Sequence, residues 1–291
     1  MTVHYSCLSE DLFPAAHATM DEAFADYYVD MSYMTRERSW LRNLKSGVCY
    51  DASVAAWDGD RMVGFTFVGL DDWLGEPAAF DAGTGIVKAY RGQGIAQGMF
   101  EFVLPGLKAR GVSRFLLEVL QPNAAAIRAY RKAGFEITRE FACYDLLPEA
   151  FAAGALPGSD VEVCEIDRPT VQSFGDKADW QPSWENSFAG MDRIPDELVR
   201  LGAYEAGRCV GILVYYPLLQ WIMCLLVEKE ARHRGVASTL LKALIADLQL
   251  PPGTDRVRIN NIDHVDTGMR ALLEKAGARW AIDQYEMECR F

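Results

Sequence analysis

The chain has 291 residues, 50% of them hydrophobic and 24% charged. This is ordinary globular usage; it excludes a disordered, collagen-like or low-complexity chain and fits one large domain or two ordinary ones. A net charge of −12, from 29 basic against 41 acidic residues, repels phosphate backbones. It argues against nucleic acid and anionic lipid as partners and mildly favours cationic small molecules.

In chain order, the first residues lack a basic stretch followed by an apolar one, so no secretory signal is expected and a cytoplasmic protein is. Segments 26–33 (D-Y-Y-V-D-M-S-Y) and 71–75 (D-D-W-L-G) mix acids with aromatics, a composition suited to a cation with an apolar body. Strands are predicted over 53–57 and 62–68, joined as a hairpin over Asp58-Gly59. A strand over 84–88 follows, then a helix over 94–110, a strand over 115–120 and a helix over 124–133 ending at Gly134. A strand over 141–146 is expected to close this unit. Residues 147–160, with two prolines and two glycines, read as a linker.

Residues 209–227 are 19 residues without a charge. Pro217, Gln220 and the excess of β-formers favour two buried strands joined by a loop over a membrane span. The seven cysteines form no C-x-x-C pair and the four histidines show no ligand spacing. Reduced, mostly buried thiols and no metal are therefore expected.

The chain repeats itself. R-G-Q-G-I-A at 91–96 recurs as R-H-R-G-V-A at 232–237, an offset of 141 (232 minus 91). The stripe Ile95, Met99, Val103, Leu107 recurs as Val236, Leu240, Leu244, Leu248. Segments headed by Gly111 and Gly253 match, as do R-K-A-G-F at 131–135 with E-K-A-G-A at 274–278, and 58–64 with 205–211. Ordered matches of this kind indicate two copies of one unit of about 140 residues.

Between a strand and an apolar-striped helix, Gly92 and Gly94 let backbone N–H groups converge where the helix N-terminus adds partial positive charge. That is a cradle for a diphosphate. No G-K-[ST] follows, which excludes a P-loop, and G-x-G-x-x-G is not completed.

Arg91-Gly92-Gln93-Gly94-Ile95-Ala96 matches [RQ]-x-x-G-x-[GA]. Asn123, Ala126, Ile127, Tyr130, Gly134 and Phe135 fill N-x-x-A-I-x-x-Y-x-x-x-G-F. Both signatures resemble the GNAT superfamily of N-acetyltransferases. The second half keeps the first signature but has Asp266 for Asn123, Leu273 for Tyr130 and Ala278 for Phe135. The resemblance implies an α/β (α+β) fold of two tandem GNAT-type acyltransferase domains, each a mixed, largely antiparallel sheet flanked by helices. The domains would span 1–146 and 161–291, the first catalytic and the second degenerate. It also implies acetyl-CoA as donor, with no metal, and an amine of a small molecule or peptide as acceptor. The pantetheine arm would pair with Ile86 and Val87, the diphosphate would sit on Arg91–Ala96, and Asn123 would lie beside the arm.

An alkylamine holds its proton at pH 7 with about 4–5 kcal/mol, so a general base is useful. Asp81 and Glu118 are the candidates. Tyr130, a phenol protonated at neutral pH, is the candidate donor to the leaving thiolate, and a strand N–H near Val87 the candidate oxyanion donor. In the second half Ile222, Asn260 and Leu273 replace Asp81, Glu118 and Tyr130. The competing function is a non-catalytic acyl-CoA sensor, or acyl transfer to an acceptor other than an amine.

Overall fold

The computed structural model describes residues 3–179, 181–250 and 254–291; Gly253 of the repeat match lies outside them. The chain forms two compact units, Met1–Glu140 with Gln284–Phe291, and Phe141–Asp283.

The first unit contains β1 (Val3–Cys7), α1 (Phe13–Phe24), α2 (Arg36–Lys45), β2 (Val54–Asp58), β3 (Arg61–Trp73), β4 (Glu76–Ile86), α3 (Ile95–Ala109), β5 (Arg114–Leu120), α4 (Ala124–Lys132) and the start of β6 (Glu136–Leu146). Strands β1 to β4 pair antiparallel in sequence order, and β4 pairs parallel with β5. Side chains alternate across this sheet. Phe65 and Phe67 on β3 meet Phe24 and Phe13 of α1, with ring centroids 6.3 and 6.2 Å apart. Thr66 between them faces Met99 of α3. The stripe Ile95, Met99, Val103, Leu107 is buried against Phe115, Leu117 and Val119 of β5. Each such side chain contributes about 1.5–3 kcal/mol by burial.

Strand β4 begins eight residues before the predicted 84–88, because β3 and β4 extend into one long hairpin. Leu74 (φ 57°) and Gly75 (φ 80°) make its tight turn. The 71–75 segment is therefore a hairpin end, in which Trp73 is buried while Asp72 and Leu74 are exposed.

The second unit contains β7 (Glu162–Glu165), α5 (Arg168–Gln172), α6 (Phe188–Arg193), β8 (Val199–Glu205), β9 (Arg208–Tyr216), β10 (Trp221–Val227), α7 (Val236–Ala246), β11 (Val257–Asp263), α8 (Thr267–Lys275) and the start of β12 (Arg279–Arg290). Strands β7 to β10 pair antiparallel in sequence order and β10 meets β11 in parallel. The charge-free segment is thus two buried strands joined by a turn at Pro217. Among the described residues no helix is long and apolar enough to cross a membrane. Helix α7 ends at Ala246, so Leu248 lies beyond it.

The closing strands are exchanged. Residues 141–146 were expected to close the first unit, but they pair antiparallel with β11 in the second. The chain's last residues, Gln284 to Arg290 of β12, pair with β5 and close the first. Alternating apolar side chains specify which face of a sheet a strand covers. In two copies of one unit they do not specify which sheet it joins.

Residues 147–160 are not an extended linker. Ala152 N–H donates to Ala276 O at 3.0 Å, and Leu156 is buried in the core of the second unit. All seven cysteines are free, but only Cys143 and Cys289 are buried, against the expectation that most would be.

Candidate active site

Pairing between β4 and β5 runs from Ala78 and Arg114 to Asp81 and Leu117 and stops there, although β4 continues to Ile86 and β5 to Leu120. The register of β4 on β3 shifts at this point, leaving Ala82 as a bulge. A bulge bends its strand and ends pairing. Arg42 of α2 holds the bulge, donating from Nη1 to Ala82 O at 2.5 Å. The result is a cleft between diverging strands whose edges carry unpaired backbone groups. Val87 N–H is spent on Val63 O at 2.9 Å, so the strand N–H expected near Val87 as oxyanion donor is not that of Val87 itself. Alternation along the ladder turns the N–H of Ile86, one residue earlier, toward the cleft.

Strand β4 leads into the glycine turn. Gly92 and Gly94 adopt φ of 77° and 81°, and a Cβ on either would meet nothing within 4 Å. Gly94 caps α3 without a side-chain hydrogen bond, while Ile95 anchors the helix start in the core. The first-turn amides of α3, around Ala96, therefore lack side-chain acceptors and face an open space, which suits an anion.

The side chains of the motif have other duties. Gln93 donates to Ala89 O at 3.2 Å. Arg91 staples the turn to the end of α1: its guanidinium donates to Ala23 O at 2.6 Å, to Asp26 at 2.8 and 3.1 Å, and to Ile86 O at 3.1 Å. Hydrogen bonds from Arg91 and Lys88 hold the Asp26 carboxyl down at about 2. Asp26, expected to meet a cationic acceptor, is thus neutralised within the protein.

Asp81 and Tyr130 come together. Tyr130 of α4 donates to Asp81 Oδ2 at 3.2 Å, Thr84 Oγ1 donates to the same oxygen at 2.8 Å, and Gly83 N–H donates to Oδ1 at 3.0 Å. Both side chains are buried. Burial pushes the Asp81 carboxyl up to about 6, against the pull of these hydrogen bonds. Burial and the Asp81 charge hold the Tyr130 phenol well above its usual 10. Thr84, backed by Thr66 at 2.9 Å, and Arg42 escaped the sequence analysis because their spacing along the chain carries no motif.

Asn123 caps α4 through Ala126 N–H at 3.1 Å and also hydrogen-bonds the Tyr27 hydroxyl. Glu118 stands apart from the Asp81–Tyr130 pair. Asp81 is level with Leu117, whose side chain joins the α3–α4 core. Glu118, the next residue, projects from the opposite face of β5 and is half-buried. Among the described residues no cluster of three or more His, Cys, Asp or Glu side chains is arranged to hold a metal.

The second unit repeats the frame. Gly235 (φ 83°) caps α7, and Arg232 binds Asp179 and Val227 O as Arg91 binds Asp26 and Ile86 O. The bulge on β10 falls between Ile222 and Cys224, which aligns Ile222 with Asp81.

Comparison with known proteins bears on the family and the fold. The profile of the acetyltransferase (GNAT) family matches residues 14–135 and again 161–278. The mycothiol acetyltransferase of Corynebacterium efficiens is 33% identical over 119 residues, 40% of this chain and 36% of that protein. N-alpha-acetyltransferase 30 of Schizosaccharomyces pombe is 37% identical over 84 residues, 28% of this chain and 56% of that protein. The chain thus spans only about a third to a half of these relatives. A GCN5-related N-acetyltransferase from Sphaerobacter thermophilus superposes with a TM-score of 0.73 at 14% identity, covering 99% of this chain and 95% of its own. A tandem GNAT protein from the clavulanic acid biosynthesis pathway does so with 0.73 at 13% identity, covering 99% and 98%. At these identities the superpositions speak for the fold. The profile matches cover most of both halves, and the chain belongs to the acetyltransferase (GNAT) family, as a tandem of two such units.

Proposed function

We propose that the first unit transfers an acetyl group from acetyl-CoA to an amine of a small molecule or peptide by direct attack. The observation that carries this is the buried Tyr130–Asp81 pair beside a cleft that leads to an open anion cradle. The diphosphate rests on the backbone of Gly92 to Ala96 and the pantetheine arm runs along Ile86, beside Asn123. Arg91 acts through its side chain, by ordering the turn.

Glu118, on the opposite face of the sheet and half-buried, takes the proton from the attacking amine. The amine nitrogen bonds to the thioester carbon, and Ile86 N–H stabilises the developing oxyanion. The C–S bond then breaks and the sulfur takes a proton from Tyr130. A carboxyl at about 6 is a stronger acid than a thiol near ~8.5, so a proton passed from Asp81 through Tyr130 to sulfur moves downhill. Asp81 is therefore assigned to the acid side of the reaction and Glu118 to the base side.

The test is release of free CoA thiol against a panel of amines. Tyr130→Phe should lower turnover by ~10²-fold with acetyl-CoA affinity nearly unchanged. Glu118→Gln should lower kcat/KM by a similar factor at pH 7, and the deficit should shrink toward pH 9 as more of the amine is already neutral. Acetyl-CoA binding with no turnover on any amine would make the unit a sensor. Full activity in Tyr130→Phe would remove the proton donor.

A further inference from the structure

We infer, building on the assignment of Glu118 as base, that Glu286 is a positioning residue for it. Glu286 sits on the strand with which the chain's end closes the first unit, and its fixed carboxylate favours transfer of the amine's proton to Glu118. The two residues are partners in the antiparallel ladder of β12 on β5. Residues directly opposite each other lie about 5 Å apart at Cα and project from the same face of the sheet. Their neighbours Met287 and Leu117, also partners, both enter the core beneath α3 and α4. Glu286 and Glu118 therefore share the other face, the one that carries α1 and α2.

The two carboxylates are held differently. Glu286 is 5% exposed. Its Oε1 accepts from Thr138 Oγ1 at 2.7 Å and from Arg139 Nε at 2.9 Å, and its Oε2 from Arg139 Nη2 at 2.5 Å. A side chain so tied does not travel to a substrate. Glu118 is half-buried, one residue past Leu117, at the point where β4 and β5 cease to pair. Like charges directly opposite on a ladder repel, and a proton placed on Glu118 ends that repulsion. Three other charged groups stand close to this point. Arg139 forks onto Glu286 and offsets part of the repulsion. Arg42 reaches the same face at Ala82 O, and Asp81 lies on the other face with Tyr130.

Stability alone is a poor account of such a pair, since a buried ion pair adds little over apolar packing of the same volume. The second unit supplies the contrast. Ile259 pairs there with Tyr144 as Leu117 pairs with Met287. The next residues are Asn260 on β11 and Cys143 on β6. Both carboxylates are thus absent together, in the unit that also lacks the counterparts of Asp81 and Tyr130.

Thiol release by the full chain would be followed with acetyl-CoA and whichever amine of the panel is acetylated fastest. Glu286→Gln should lower kcat/KM for the amine by about tenfold at pH 7, with the KM for acetyl-CoA unchanged. The deficit should shrink toward pH 9, where more of the amine is already neutral. Glu286→Asp, which keeps the charge, should recover most of the rate. In a Glu118→Gln background, Glu286→Gln should cost less than about twofold further. Should Glu286→Gln alone fail to melt cooperatively, Glu286→Gln combined with Arg139→Gln removes both charges and should show the same kinetic defect. Full activity in Glu286→Gln, a deficit independent of pH, or one that multiplies in full with that of Glu118→Gln would overturn the role of Glu286 and leave Glu118 as base. Full activity in Glu118→Gln, or a panel with no amine acetylated, would remove the base and Glu286's role with it.

Discussion

The Tyr130 hydroxyl donates to Asp81 Oδ2 at 3.2 Å, and the two residues, 49 positions apart, are buried together on one face of the sheet. A carboxylate so placed is shielded from an incoming amine. It is also poised to polarise, and to reload, the phenol in front of it. Asp81→Asn keeps the size of the side chain and removes the titrating proton. The expected loss of turnover is about tenfold at pH 7, at the weak end for a proton-transfer group. It should deepen as pH falls toward 6, where the unaltered chain gains protonated Asp81. Initial rates of thiol release between pH 6 and 8.5 check this. A pH-independent ratio of the two rates would reduce Asp81 to a structural partner of Tyr130.

The same group makes folding depend on pH. Burial raises the Asp81 carboxyl from about 4 in the unfolded chain to about 6 in the folded one. Its contribution to stability is therefore fully present below pH 4 and is lost as pH rises through 6, by ~2–3 kcal/mol. The difference in unfolding free energy between Asp81→Asn and the unaltered chain should move by that amount, in favour of the variant, from pH 4 to pH 7. Groups common to both proteins cancel in this difference. Denaturant melts at both pH values, read from a probe in the first unit, provide the measurement. A difference that stays constant would mean that Asp81 keeps an ordinary pKa.

The anion cradle allows a test in which stability and binding should move in opposite directions. Ala96 lies in the first turn of α3, where a carboxylate is favourable to the helix by ~0.3–1 kcal/mol. Ala96→Asp should therefore leave the fold intact or slightly strengthened. It also places a negative charge among the amides meant for the diphosphate, so acetyl-CoA affinity should fall at least tenfold, or ~1.4 kcal/mol. Calorimetric titration and a melting curve on the same sample decide it. Undiminished affinity would move the coenzyme away from this turn.

What the sequence carried was local. Gly92 and Gly94 sit in one turn, and Asn123 and Tyr130 share one helix, so short-range spacing is enough to place them. The partners of these residues are remote. Asp26 is 65 residues from Arg91, and it drew attention only as part of an acidic, aromatic segment with a different expected role. Thr84 and Arg42 meet Asp81 and its bulge through the register of β4 on β3 and the packing of α2, neither of which has a period to detect. Offsets alone aligned Asn260 with Glu118, and a register shift on β11 between Ile259 and Ile262, where Asn261 has φ 60°, explains why the offset drifts just there. The strand exchange lies beyond any periodic signal, since each closing strand suits either sheet.

That exchange makes the last prediction. Arg114 on β5 and Glu288 on β12 form a bidentate pair at 2.6 and 3.1 Å, and both side chains are less than 10% exposed. They are 174 residues apart, so the pair exists only because the end of the chain closes the first unit. Glu288→Gln leaves the buried Arg114 with weakened hydrogen bonding and only the half-exposed Glu76 carboxylate, 4.0 Å away, as countercharge, a loss of at most ~3–5 kcal/mol, the figure for a broken buried pair. The damage should appear at β5. Its amides, from Arg114 to Leu120, should exchange with deuterium markedly faster, while those of β11 stay protected. Acetyl transfer should become heat-labile although no residue of the cleft has been touched. If β11 lost protection instead, the last strand would belong to the second unit, and the order of closing strands would revert to that of the chain.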